Sequence, residues 1–156
     1  MTPEEMHQHF LKELVRSQQG VAAVAAHFIR KARLDVRVDH LHIPPTYEEG
    51  RPDTADLWVR RPGEEWKLIE VKRYTKPVEF MLNKYPFIAV KACKAYDEME
   101  RKPDLFYILQ EDMQQALVVN MDTAPPLIKH LIKDPERGTT TMAYHLKPDA
   151  FQVVTL

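Results

Sequence analysis

The sequence predicts an α/β protein, a mixed β-sheet with helices packed on it. Three observations carry that expectation. Some segments repeat apolar residues at helical spacing, others alternate them with period two, and the two kinds interleave along the chain. The length of 156 residues suits a single domain, 1–156, with one core.

The elements follow in order. Thr2 is placed to cap a helix, with Glu5 answering from the third position and Pro3 in the first turn. Met6, Phe10, Leu14 and Val15 then mark an N-terminal helix over 3–17. Gly20 is expected to interrupt it, and Val21, Val24, Ala25, Phe28, Ile29 and Ala32 to line a second helix. Val36 and Val38 alternate with charged residues as in a half-buried strand. Residues 43–54, with three prolines and a glycine, read as loop.

Asp56 to Arg60 and Trp66 to Lys72 read as strands, joined by a tight turn at Arg61-Pro62-Gly63-Glu64. A long helix is expected from Pro86 to about Lys102, with Ile88, Ala92, Ala95, Tyr96 and Met99 inward and Pro103 ending it. Leu105–Leu109 and Ala116–Met121 are two apolar strands. Pro125 and Pro126 open a short helix carrying Leu127, Ile128, Leu131 and Ile132, which Gly138 ends. Thr139–Leu146 and Phe151–Leu156 close the chain as strands. The expected order is α-α-β-β-β-α-β-β-α-β-β.

Composition narrows the function classes. Apolar residues make up 44 % and charged residues 29 %, an ordinary balance. No apolar run approaches the roughly 20 residues that cross a bilayer, and the N-terminal residues lack a signal-peptide pattern. The single cysteine, Cys93, excludes an internal disulfide, fits a reducing cytoplasm and most simply packs in a core. It also argues against a structural zinc site. Net charge is −1, but the distribution is uneven. Seven basic residues against two acids lie between Lys67 and Lys94, and seven acids against Arg101 and Lys102 lie from Ala95 to Asp122. A basic stretch of this kind is what a polyanion approaches, or else a solvated helix face.

The chemistry-bearing segment is 52–72. Alternation puts Glu70 and Lys72 on one strand face, and Asp56 shares a face with Trp58 on the strand before. Pairing the two strands as a hairpin lets those faces coincide. Two carboxylates can hold a hard divalent cation such as magnesium or manganese, and a nearby lysine offsets charge developing at phosphorus. On this reading Asp56 and Glu70 are metal ligands, the Val71 carbonyl adds an oxygen, Lys72 is the electrostatic partner, and Asp53 is an alternative first acid.

This arrangement resembles the PD-(D/E)XK nuclease superfamily, with its restriction-endonuclease-like fold. The matching residues are Pro52-Asp53 or Asp56 and Glu70-Val71-Lys72. Glu-x-Lys occurs three times in the chain, but only Glu70-Val71-Lys72 follows an apolar pair on a strand with an acid-opened strand before it. The resemblance implies a core of about 20–110 with order αβββαβ, leaving the helix at 3–17 and a C-terminal extension of about 122–156 outside. It also implies a magnesium-dependent phosphodiesterase, endonuclease or exonuclease, acting on DNA in preference to RNA. Recombination, repair or a mobile-element or phage setting, and a homodimer, are compatible with it.

Many members carry a further acid on the helix before the first strand. Val21–Arg33 has none, so Glu5, Glu13, Glu48 or Glu49 would have to substitute. Arg73, Lys76, Lys84, Lys91 and Lys94 are the expected phosphate contacts. The alternatives are a non-catalytic nucleic-acid-binding module on the same fold and an assembly protein, with Asp56, Glu70 and Lys72 as cross-strand ion pairs. His40 and His42 read as surface residues before metal ligands, Trp58 and Trp66 as a cross-strand aromatic pair, and Tyr47 and Arg51 as loop residues beside the site.

Overall fold

The computed structural model describes residues 2–38, 56–134 and 138–156. Helix α1, Pro3–His27, starts with the expected capping box: Thr2 Oγ1 accepts from the Glu5 amide, and Glu5 Oε2 accepts from the Thr2 amide at 2.7 Å. The helix does not break at Gly20. It runs through that residue because the missing side chain lets it lie close on the sheet. A Cβ there would stand 3.1 Å from Leu109 Cδ1 and 3.6 Å from Val71 Cγ1. A π-helical turn, Phe28–Ala32, ends it, and Arg33 in the left-handed region (φ 51°) turns the chain back.

Strands β1 (Asp35–Val38), β2 (Leu57–Arg60) and β3 (Lys67–Arg73) form an antiparallel meander. Between β2 and β3 the turn falls at Arg61–Glu64 as expected. The Glu64 amide donates to the Arg61 carbonyl, and Gly63 takes φ 84°, which a residue without Cβ adopts freely.

After β3 come α2 (Val78–Lys84), β4 (Ile88–Ala92) and α3 (Cys93–Glu98). The chain then enters β5 (Leu105–Leu109), which pairs parallel to β3. Strands β6 (Gln115–Asn120) and β9 (Gln152–Thr155) complete a six-stranded sheet of order β1-β2-β3-β5-β6-β9. The β3–β5 pair is its one parallel junction among these strands. Strand β4 pairs with β8 (Thr139–Leu146), and β8 with β7 (Ile128–Asp134), in a second sheet.

Two expectations are corrected here. The long helix over 86–102 is a strand followed by a short helix. Ile88 and Val90 are both fully buried at period-two spacing, and pairing with β8 overrides the helical pattern. The short helix over 127–132 is instead β7, held to β8 by seven residue pairs. Helix α2 was not anticipated.

The core has two halves, one on each face of the large sheet. On one side α1 contributes Val21, Val24 and Phe28 against Leu57, Ile69, Val71, Tyr107 and Leu109. On the other, Val78, Met81, Ile88, Val90 and Leu146 meet Phe106, Ile108, Leu117 and Val119. Strand β5 is covered on both faces, which is why its sequence is a continuous apolar run. Cys93 is buried, as expected of a packing residue. No described helix is long and apolar enough to cross a membrane.

Candidate active site

Strand β3 outruns its partner. Pairing with β2 stops at Leu57–Ile69, while β3 continues to Arg73. Ile69 and Val71 present their main-chain groups to the β2 side, and the alternate residues present theirs to β5. Past the start of β2, therefore, that edge of β3 needs other partners. Asp56 supplies one. Its amide donates to the Ile69 carbonyl at 3.0 Å, and its Oδ2 accepts from the Val71 amide at 2.6 Å. Two residues on, Arg16 of α1 donates to the Arg73 carbonyl at 2.7 Å. The Val71 carbonyl lies between these two closures, on the same edge.

A cleft of about 230 Å³ opens there, lined by Glu13, Arg16 and Ser17 of α1 together with Asp56 and Glu70–Arg73. The register Trp58–Leu68 puts Asp56, Trp58, Leu68 and Glu70 on one face of the hairpin, as alternation required. Asp56, Glu70 and Lys72 thus meet at one place.

Glu70 is only 4 % exposed and Lys91 only 5 %. Lys91 Nζ donates to Glu70 Oε1 at 2.6 Å, and Lys72 Nζ stands 3.6 Å from the same oxygen. Glu70 Oε2 is buried and, among the described residues, has no hydrogen-bond partner. A buried carboxylate oxygen left in that state is costly unless a ligand meets it. Burial, and next the charge of Glu70, push the Asp56 carboxyl up to about 7; the Val71 amide, Lys72 and Lys91 pull the other way.

Lys91 was expected on a helix surface, touching phosphate. It is instead on β4, where the ladder with β8 slips one residue between Ala89 and Lys91. The bulge buries Val90 and Lys91 in succession and turns the lysine to Glu70. The available signal was a lone lysine inside the apolar run Ile88-Ala-Val-Lys-Ala92.

Arg73 is likewise taken up internally. Its guanidinium donates to the carbonyls of Arg16 and Glu111 and to Gln19 Oε1, tying α1 to the β5–β6 turn. Lys76, Lys84 and Lys94 are exposed. Of the substitute acids, Glu13 lines the cleft, whereas Glu5 serves the helix cap. Asp53, His40, His42, Tyr47, Glu48, Glu49 and Arg51 lie outside the described residues.

The two tryptophans are not a simple aromatic pair. The Arg37 guanidinium lies over both rings, 4.8 Å from Trp58 and 5.2 Å from Trp66. Arg60 covers Trp66 at 4.3 Å and Arg101 covers Trp58 at 4.8 Å. The ladder of rings and guanidiniums shares the hairpin face that carries Asp56 and Glu70.

No family model, curated protein or solved structure matches this chain. Among the described residues no group of three or more His, Cys, Asp or Glu side chains is placed to hold a metal ion. What the cleft offers a cation is two carboxylates and a main-chain carbonyl, a hard-oxygen set suited to magnesium or manganese.

Proposed function

We propose that this protein is a metal-dependent nuclease of the PD-(D/E)XK type, hydrolysing phosphodiester bonds in DNA. The observation that carries the reading is the division of labour within the two carboxyl groups. Asp56 commits Oδ2 to the Val71 amide, and Glu70 commits Oε1 to Lys91, while Glu70 Oε2 is buried and has no hydrogen-bond partner among the described residues. An acid pair that served only as cross-strand ion pairs would sit in solvent, not sealed at a strand end.

Asp56, Glu70 and the Val71 carbonyl would hold the cation. When bound, it supplies Lewis-acid stabilisation of charge at the phosphoryl group. Lys72, half-buried beside Glu70, is positioned to donate to the attacking water or to a non-bridging oxygen and to offset the charge that grows there. Arg16, on the α1 wall of the cleft, is held by the Arg73 carbonyl and by Glu111 and Glu13, so it shapes the wall. Exposed Lys76, Lys84 and Lys94 provide sequence-independent phosphate contacts.

The test is incubation with labelled single-stranded, duplex and branched DNA, and with RNA, in magnesium, manganese and EDTA. Metal-dependent cutting that Glu70→Gln and Lys72→Ala both abolish is the expected result. One observation favours a second reading. Lys91 already neutralises Glu70 at 2.6 Å, so the pair also suits a non-catalytic nucleic-acid-binding module. That module would bind DNA with a steep salt dependence but neither cut it nor bind metal.

A further inference from the structure

A second cavity begins where the cleft ends. The cleft is lined along β3 as far as Arg73, and Arg73, Tyr74 and Thr75 lead on into a cavity of about 530 Å³ against the second sheet. Tyr85, Phe87 and His145 join its wall. Its volume lies in the range of pockets that take small organic groups, roughly 300–1,000 Å³. The phosphodiester chemistry assigned to the cleft does not use it.

The wall is braced from behind. The Tyr74 hydroxyl donates to the Ala89 carbonyl at 2.6 Å, which ties the end of β3 to β4. The Phe87 ring lies against His130, with centroids 4.5 Å apart and 32° between the planes, and His130 meets His145 edge-on at 5.3 Å. Phe80 meets Tyr85 edge-on at 5.7 Å. Rings held by other rings have little freedom to lose when a ligand arrives. His145 adds a polar group. Its Nδ1 lies 3.0 Å from the Ala143 carbonyl. A carbonyl only accepts, so Nδ1 carries the proton and Nε2 is left as an acceptor. Burial pulls this imidazole below its ordinary pKa, against the pull of the Ala143 bond and with that of His130, which favours the neutral ring.

Aromatic faces with an acceptor at one edge suit a flat heterocycle carrying N–H groups, which is the chemistry of a nucleobase. Lys72 of the cleft and Tyr74 of the cavity are two residues apart, about 7 Å of extended chain, a span that one nucleotide bridges. We infer, resting on the nuclease reading, that this cavity seats one unpaired nucleobase of the strand whose phosphate enters the cleft. A base within a duplex is stacked and paired and must leave the helix to reach it. The substrate class that follows is a single strand, or a nucleotide already unpaired at an end or a branch.

The experiment is fluorescence anisotropy with the full chain in EDTA, where metal-dependent cutting does not intervene. The probes are a labelled single strand, the same backbone built of abasic residues, and the blunt duplex, with a free mononucleotide as competitor. The native protein is expected to bind the base-bearing strand about tenfold more tightly than the abasic one, and more tightly than the duplex. Phe87→Leu removes a ring while keeping apolar volume, and should lose that preference with its affinity for the abasic strand unchanged. Tyr85→Leu carries the same test should Phe87→Leu fail to fold. A native protein that cuts DNA in magnesium yet binds base-bearing and abasic strands equally would overturn the base site and leave the nuclease intact. A preference retained in both variants would overturn it too. A free mononucleotide that binds as tightly as the strand would overturn the assignment to a strand. A protein that cuts nothing but keeps the base preference and loses it in the variants would sustain the base site and sink the nuclease reading.

Discussion

Lys91 Nζ and Glu70 Oε1 lie 2.6 Å apart between the two sheets, with both side chains almost wholly removed from water. Either ion alone would be costly there, and their contact offsets much of that cost. Removing one partner takes the nearest counter-charge from a buried ion and costs about 3–5 kcal/mol, whereas replacing both with apolar groups of similar volume is near neutral. Lys91→Ala should therefore lower the unfolding free energy by about that amount. The double variant Glu70→Leu/Lys91→Met should regain most of the loss. Urea unfolding of the three proteins in EDTA measures both effects, and equal destabilisation in the single and double variants would show that the pair is not the cause.

Gly20 sets the distance between α1 and the sheet. Residues facing it belong to β3 and β5, so the whole cleft wall of Glu13, Arg16 and Ser17 depends on that approach. Alanine gains helix propensity but must displace Leu109 slightly. Valine adds two methyls to a space that already stands at contact distance. Gly20→Val is expected to cost about 1–3 kcal/mol by overpacking. A thermal melt is sufficient to detect it, and an unchanged melting temperature would mean that the helix shifts freely on the sheet.

What was legible in the sequence was local. Period-two alternation placed Asp56 and Glu70 on one hairpin face, and the Pro62-Gly63 turn joined their strands. The covered strand Leu105–Leu109 was read with its bounds intact. Segments whose form depends on a distant partner were misread. Ile88–Ala92 and Ile128–Asp134 carry apolar spacings that suit a helix, and both become strands because β8 pairs with each. The same non-local pairing hid Lys91. Its inward turn comes from a one-residue slip against β8, far along the chain, which no pattern around residue 91 encodes. Gly20 was read as a breaker from propensity, although its use is tertiary.

Basic residues between 73 and 94 fall into two kinds, and on the nuclease reading salt dependence separates them. Lys76, Lys84 and Lys94 are exposed, while the Arg73 guanidinium is spent on Arg16, Gln19 and Glu111. For every phosphate that the protein no longer neutralises, the slope of log affinity against log salt should become shallower by about 0.7–0.9. The triple variant Lys76→Ser/Lys84→Ser/Lys94→Ser is thus expected to bind DNA more weakly with a flatter slope and an unchanged melting temperature. Arg73→Gln should do the opposite, losing stability as its hydrogen bonds disappear while keeping the slope. Filter binding across a salt series decides between them.

Asp56 offers a test by pH. Burial and the Glu70 charge raise its carboxyl to about 7 in the folded protein, against an ordinary value near 4 when unfolded. Between about pH 4 and 7 the folded state holds a proton that the unfolded chain releases. Stability from this group is present at the low end of that window and is lost as pH rises through 7. In EDTA, the melting temperature should therefore fall from pH 5 to pH 8 more in the native protein than in Asp56→Asn. The asparagine keeps an acceptor for the Val71 amide but has no proton to lose. Parallel pH profiles for the two proteins would mean that Asp56 titrates normally and that the two carboxyl groups do not act on each other. A metal ion would reverse the trend, because it favours the ionised pair. Added Mn²⁺ together with phosphorothioate DNA is expected to raise the melting temperature more at pH 8 than at pH 5.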